Sequence, residues 1–400
     1  MLNLSFTKRS SVWVAATAAC ATALLVACGG GGEAATEAAV PVAATTYTQG
    51  AITGFGSIFV GGVRFDDSAA SVSDEDGNSR SRSELKLGMM VELDAGAVDR
   101  SAASALALRI RLGNEIVGPV GAVNTTASTV QVLGQTVLVT SSTIFDESLA
   151  GGLSALTAGA VVEVYGILDP ANGRVVATRI EPKTGAIVYR LRGAIADLDT
   201  TAKTFTVNGQ TISYAGLPAA SVPPGLTKGQ IVRVLLQTTQ VNGAWVATAL
   251  RGGLRLPEVT RRDAHVEGVI SVFTSTSSFQ VNGLLVDASN ATFPDGTTGI
   301  VLGAKVEVEG VVTNGVLVAS KVEIEDRRAV PRVLELRGEM GKLNTTDKTF
   351  ALRGVTVWYG GTVEYKNGTA ATLANGKAVE VKGVLSTDRT RLEARRIEFR

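Results

Sequence analysis

Glycine recurs along this chain in sets of five that share one spacing. The first set opens a pattern each time: Gly50 in TQGAI, Gly121 in PVGAV, Gly193 in LRGAI, Gly268 in VEGVI and Gly338 in LRGEM, about seventy residues apart. Four hundred residues would ordinarily suggest two or three domains, but a period of this length overrides that prior, because each repeat is one structural unit.

The second set, Gly62, Gly134, Gly209, Gly283 and Gly354, sits between alternating apolar residues. Two positions before it stand Val60, Val132, Val207, Val281 and Leu352, and four before it Ile58, Val130, Phe205, Phe279 and Phe350. Three after it come Phe65, Val137, Ile212, Val286 and Val357. Apolar residues at spacing two around a glycine predict two half-buried strands joined by a tight turn.

The third set, Gly88, Gly159, Gly229, Gly303 and Gly376, precedes a further strand with inward positions at Val91, Val162, Val232, Val306 and Val379, and again two residues later. Between those positions lie Glu92, Glu163, Arg233, Glu307 and Glu380, which alternation assigns to a solvated outer face. A closing strand ends every unit: ALALRI, VVATRI, WVATAL, LVASKV and LEARRI. Its Ala107, Ala177, Ala247, Ala319 and Ala394 mark a register where only a small side chain fits. Arg109, Arg179, Lys321 and Arg396 share an outward register, where exposed ion pairs contribute only about 0–1 kcal/mol.

With 45 glycines, 10 prolines and 5% aromatics, the composition suits short strands and tight turns, with little helix. The expected fold is all-β: five tandem, separate OB-like barrels at 49–112, 116–182, 188–254, 263–326 and 333–400, since closure removes exposed strand edges. A single transmembrane barrel fits less well, because its strands need about 9–11 residues and aromatic girdles. A five-bladed propeller would have unusually long blades. Phe205, Phe279 and Phe350 take core positions, and variable loops such as 73–84 and 215–225 are where a ligand would be met.

The N-terminus reads differently. Lys8 and Arg9 precede an apolar run at 12–27, short for a span of about 20 residues and typical of a secretory signal. The run closes with Leu25-Val26-Ala27-Cys28-Gly29, which resembles the lipobox of bacterial lipoproteins. That resemblance implies cleavage after residue 27, acylation of Cys28 and a stable lipid anchor, with Gly29 favouring outer-membrane sorting. Residues 28–48 are then a Gly, Ala and Thr tether. The region from about 50 to 399 resembles tandem β-modules of unknown function in bacterial surface lipoproteins, through the repeated elements quoted above. The resemblance implies a fold and a location, and no reaction.

Charge excludes some partners. The 38 basic residues balance 37 acidic ones, and two of the bases leave with the signal, so nucleic acid is not an expected partner. Cys20 and Cys28 both lie at the N-terminus, and cleavage leaves one, so no internal disulfide is expected. His265 alone cannot form a zinc site, which takes three or four ligands, and it reads as structural. No catalytic, cofactor or metal residue is assigned; Cys28 is the one modified residue. The expected function is non-enzymatic: an array of binding or scaffold modules for an envelope polymer or protein. A glycan hydrolase working through paired carboxylates and an OB-like oligosaccharide or nucleic-acid binder are the alternatives, and Trp358 and Tyr359 are candidate exposed aromatics for a sugar or peptide.

Overall fold

In the computed structural model, residues 45–169, 171–253, 262–324, 333–387 and 390–400 are described. The expected signal segment, 1–27, and Cys28 lie outside them. The described residues form five small β-barrels spanning 46–113, 116–182, 189–252, 262–324 and 334–399. Thr46, Tyr47 and Thr48 belong to the first strand of barrel 1 and are buried, so the expected tether stops short of residue 48.

Barrel 4 shows the plan most simply. Its strands are Arg262–Ser275, Ser278–Val281, Leu284–Asp287, Lys305–Thr313 and Val316–Ile324. Strand one pairs with strand two, two with three, and four with both one and five, all antiparallel. Strand three pairs with strand five in parallel and closes the ring. All five barrels close in this order, including barrel 1, where Val63–Asp66 runs parallel to Ser104–Gly113. The fold is therefore all-β with OB-like barrels, as the alternation of apolar residues predicts.

The second glycine set does what a tight hairpin demands. Gly62, Gly134, Gly209, Gly283 and Gly354 have φ between +71° and +80°, and the residues before them, Gly61, Leu133, Asn208, Asn282 and Arg353, are also left-handed at +45° to +55°. Two consecutive left-handed residues define a type I′ turn, whose twist matches the strands it joins. The third set locks strand one to strand four. The amides of Gly88, Gly159, Gly229, Gly303 and Gly376 donate to the carbonyls of Ile52, Val120, Ile195, Ile270 and Met340 at 2.8–2.9 Å.

One sequence alignment is corrected. The opening glycine of barrel 2 is Gly118, not Gly121: it pairs with Val162 just as Gly50, Gly193, Gly268 and Gly338 pair with Val91, Val232, Val306 and Val379. PVGAV looks like the other openings because three residues further along the same strand carry a similar apolar pattern.

The small-residue register has a specific cause. In every barrel the ladder between strands four and five slips just before the repeated alanine's partner: Ala95 to Ala107, Gly166 to Ala177, Leu236 to Ala247, Gly310 to Ala319 and Gly383 to Ala394. Barrel 3 slips a second time between Leu236 and Gln240. A β-bulge bends the strand and sharpens its twist, which a five-stranded ring needs in order to close. At Gly310 an added Cβ would stand 2.2 Å from the Val318 carbonyl oxygen, and at Gly166 and Gly383 2.4 Å from the equivalent oxygens.

The barrels are not separate, as the alternation alone suggested. Their ladders run on from one to the next, giving 18 strands through barrels 1, 4 and 5 and 11 through barrels 2 and 3. Thr46–Gln49 lies parallel to Asp263–Val266, Gly54 pairs with Glu335, and Ile116 and Val117 pair with Leu191 and Arg190. The cores merge accordingly, with barrels 1 and 5 sharing one apolar cluster and barrels 2 and 3 another. Barrel 1 touches all four others and acts as the hub.

Replacing Gly310 by Val should lower the denaturation midpoint strongly, with a cost of about 1–3 kcal/mol or more from the forced backbone shift. Val at Gly315, where an added Cβ meets nothing within 4 Å but φ is +78°, isolates the backbone penalty from the steric one. Chemical denaturation of the two variants separates these terms.

Candidate functional site

Polar side chains concentrate where barrels meet. Lys86 and Leu87, in the turn before strand four of barrel 1, press on the closing strand of barrel 2. There Arg179 is 0% exposed, and its guanidinium donates to Glu181 at 2.8 Å, Asp146 at 2.7 Å and the Leu87 carbonyl at 3.2 Å. Lys86 adds contacts of 3.3 and 3.0 Å to the same two carboxylates. Burial works against the charge of Asp146, but hydrogen bonds from Ser148 and the nearby Arg179 and Lys86 hold its carboxyl below the usual range.

A second seam joins barrel 1 to barrel 3 through the loop 73–84, expected to be variable and to meet a ligand. Asp74 caps the turn by accepting from the amides of Asp76 and Asn78 at 2.9 Å. That turn drives Glu75 and Asp76 into a row of arginines. Asp76 pairs with Arg190 at 2.9 Å and with Arg233; Glu75 pairs with Arg192. Arg192 also reaches Glu115 at 3.2 Å.

The outward registers are therefore buried where they meet a neighbour. Glu163, Arg179 and Arg233 are buried because outward from one barrel is inward to a seam, whereas Glu380 is buried within barrel 5 beside Arg337 and Arg400. Arg109 keeps the solvated character expected of the row, with a side chain 61% exposed beside Asp94 at 3.0 Å.

Two cavities flank these seams. The first, of about 70 Å³, is lined by Glu75, Glu92, Glu115 and Arg192 together with residues of barrel 4. Burial pushes the Glu115 carboxyl up to about 7, against the pull of Arg192 and helped by the negative charge of Glu75. Burial likewise raises Glu92 despite its 2.7 Å contact with Arg111.

The second is a larger cleft of about 180 Å³ with walls from barrels 1, 2 and 3. Asp74 and Arg80 come from barrel 1, Asn114 from the join, Glu163, Tyr165 and Lys183 from barrel 2, and Arg190 from barrel 3. Glu163 is the acceptor at its centre, taking bonds from Lys183 at 2.6 Å, the Tyr165 hydroxyl at 3.1 Å and Asn114. Burial opposes ionisation there, but Lys183, Asn114 and Tyr165 outweigh it and keep the carboxyl below its ordinary value. The 185–188 stretch forms the rim and leaves Ile187 87% exposed.

His265 lies in the first strand of barrel 4, opposite Glu309 and beside Thr48 of barrel 1. Its Nε2 stands 2.8 Å from Glu307 Oε1. Burial disfavours the charged ring, but Glu307, Glu309 and Glu267 together raise its pKa above the usual value. Tyr359 is buried, 5.9 Å from Phe350 in a tilted ring pair, so it is not an exposed aromatic. Trp358 is half-buried under the Arg391 guanidinium at 4.7 Å. Among the described residues, most large exposed apolar side chains belong to barrel 4, including Val272, Leu285 and Val318.

Sequence reasoning placed the charged registers correctly along each strand but missed both cavities, whose residues come from separate barrels. The only local signal was the run Asp74-Glu75-Asp76 in barrel 1, which answers the arginine-rich strand Arg190-Leu191-Arg192 of barrel 3.

Four segments, 117–181, 192–251, 267–323 and 340–398, match the family model described as Domain of unknown function (DUF5666). They correspond to barrels 2 to 5, and barrel 1 repeats the same strand order outside the matched segments. No curated protein matches the chain.

Two measurements probe the seams. Arg179→Met leaves carboxylates buried without their main partner and should cost about 3–5 kcal/mol, whereas Arg109→Met should stay within about 1 kcal/mol; equal losses would contradict the seam. Glu115 supplies a pH test. Its folded pKa lies above the unfolded one, so the native state holds a proton that the unfolded chain has lost, and stability falls as pH rises from about 4.5 to about 7. Glu115→Gln removes this term, so its denaturation midpoint should gain on wild type between about pH 5 and about pH 8.

Proposed function

We propose that this chain, which belongs to the family described as Domain of unknown function (DUF5666), is a non-enzymatic envelope lipoprotein that holds a polar group of an envelope polymer or partner protein between fixed barrels. The anchor in this reading is Cys28, at the end of Leu25-Val26-Ala27-Cys28, and the location is the outer membrane. The single observation that carries the binding role is the cleft among barrels 1, 2 and 3. Its volume equals that of about six waters in the liquid, and Arg80, Lys183 and Arg190 line it together with Glu163. Few polar groups placed precisely in a concave site are what recognition of a small polar group requires.

The same geometry argues against the hydrolase alternative. Acid catalysis on a glycan takes a carboxyl kept protonated beside the bond to be cut. Glu163, in the larger cleft, is held below the usual carboxylate range, while the raised carboxyl of Glu115 lines the smaller cavity beside Arg192 rather than the cleft.

Residues 33–400 contain all five barrels and suit a binding test by co-sedimentation with insoluble envelope polymer at several salt concentrations. The wild type should sediment with the polymer. Arg80→Ala should weaken binding severalfold with little loss of stability, since its pair with Glu84 at 2.7 Å is partly exposed. In cells, palmitate should label the wild type and not Cys28→Ser. Failure to sediment would remove the binding role, and failure to label would remove the anchor.

A further inference from the structure

The chain has one histidine and two cysteines, both cysteines before residue 29. A metal site in the barrels would therefore have to be built from carboxylates and that single imidazole. The fold assembles such a set. His265 on strand one of barrel 4 and Glu307 and Glu309 on strand four bring one ligand atom each within 4.8 Å of one another. The pairing explains why: His265 stands directly opposite Glu309, and Glu307 is two residues along on the same face. Side chains directly opposite on antiparallel strands are neighbours, and those two residues away remain within reach of long side chains.

The contact between the two more buried members is informative. Nε2 of His265 has no solvent exposure and lies 2.8 Å from Glu307 Oε1, yet the two are not aligned as a hydrogen bond. Two ligands on an ion about 2.1 Å away stand about 3.0 Å apart at right angles and about 3.4 Å apart in a tetrahedron, so an outward shift of Glu307 of well under about 1 Å admits an ion between them. Glu309, with a side chain 43% exposed, opens the cluster to solvent and offers a route of entry. Barrel 1 supports the imidazole from the other side. Gly61 packs over it so closely that an added Cβ would lie 2.0 Å from Nε2, and this fixes the ring in place.

We propose that His265, Glu307 and Glu309 form a binding site for one divalent first-row transition-metal ion, at the seam between barrels 1 and 4. One imidazole and two carboxylates suit Zn²⁺ or Mn²⁺, rather than Ca²⁺, which takes six to eight oxygens. Water completes the coordination. The ion replaces the Lys321 ammonium, which otherwise sits 2.8 Å from Glu309 and 3.2 Å from Glu323.

The single histidine makes the test unambiguous. Residues 42–400 form one compact unit, so untagged residues 33–400 can be titrated with Zn²⁺, and separately with Mn²⁺, by calorimetry. The imidazole nitrogen resonances are followed by NMR during the Zn²⁺ titration. One ion per chain should bind, and the imidazole signals should shift in step with the heat. Glu309→Gln, a partly exposed change that leaves the fold intact, should weaken binding about tenfold or more. Lys321→Met should tighten it severalfold by removing the competing cation. Absence of binding, binding that leaves the imidazole signals unmoved, or equal affinity in wild type and Glu309→Gln would each overturn the site.

Discussion

Arg179 has no contact with solvent, and the groups that satisfy it belong to two barrels: Asp146 and Glu181 from its own, and the Leu87 carbonyl from barrel 1. The same arrangement recurs where Glu75 and Asp76 of barrel 1 meet Arg190, Arg192 and Arg233 of barrel 3. A charge removed from water is costly unless it finds an opposite charge and full hydrogen bonding. Glu75 and Asp76 find their arginines only when barrels 1 and 3 are docked in one way. Arg179, which has its carboxylates in barrel 2, completes its hydrogen bonding only with the Leu87 carbonyl of barrel 1. The charges thus make the packing specific, while merged apolar clusters supply most of the driving force.

Such seams change what five repeats can do. Modules on flexible links would act through avidity, each binding on its own. Barrels joined by continuous ladders and buried ion pairs hold their faces at fixed distances, so sites can be assembled from several barrels at once. The cleft of Glu163, Lys183 and Arg190 and the smaller cavity around Glu115 are both of this kind. Divergence of individual copies follows from the same cause. Barrel 1 carries the acidic loop because it is the hub, and barrel 3 carries Arg233 where the others have glutamate because it receives that loop.

Much of each barrel was legible in the chain. Alternation located the strands, and glycines located turns that need two left-handed residues, as at Asn208-Gly209 and Asn282-Gly283. The alanine register was also visible, although its reason, the bulge facing Gly166, Gly310 and Gly383, depends on cross-strand pairing. The opening glycine of barrel 2 was misplaced by three residues, because PVGAV and IVGPV share an apolar pattern that only the pairing of Gly118 with Val162 resolves.

What the sequence alone determined is the unit: its strand order, its turns and its inward residues, all of which follow from contacts at short range and from the two-residue period of a strand. Tertiary structure decided everything between units. Whether Glu163 or Arg179 meets water or another barrel depends on residues far away in the chain, and His265 gains Glu307 and Glu309 only once two strands pair. Periodicity shows which face a side chain takes, but what covers that face is set by docking, which leaves no periodic trace.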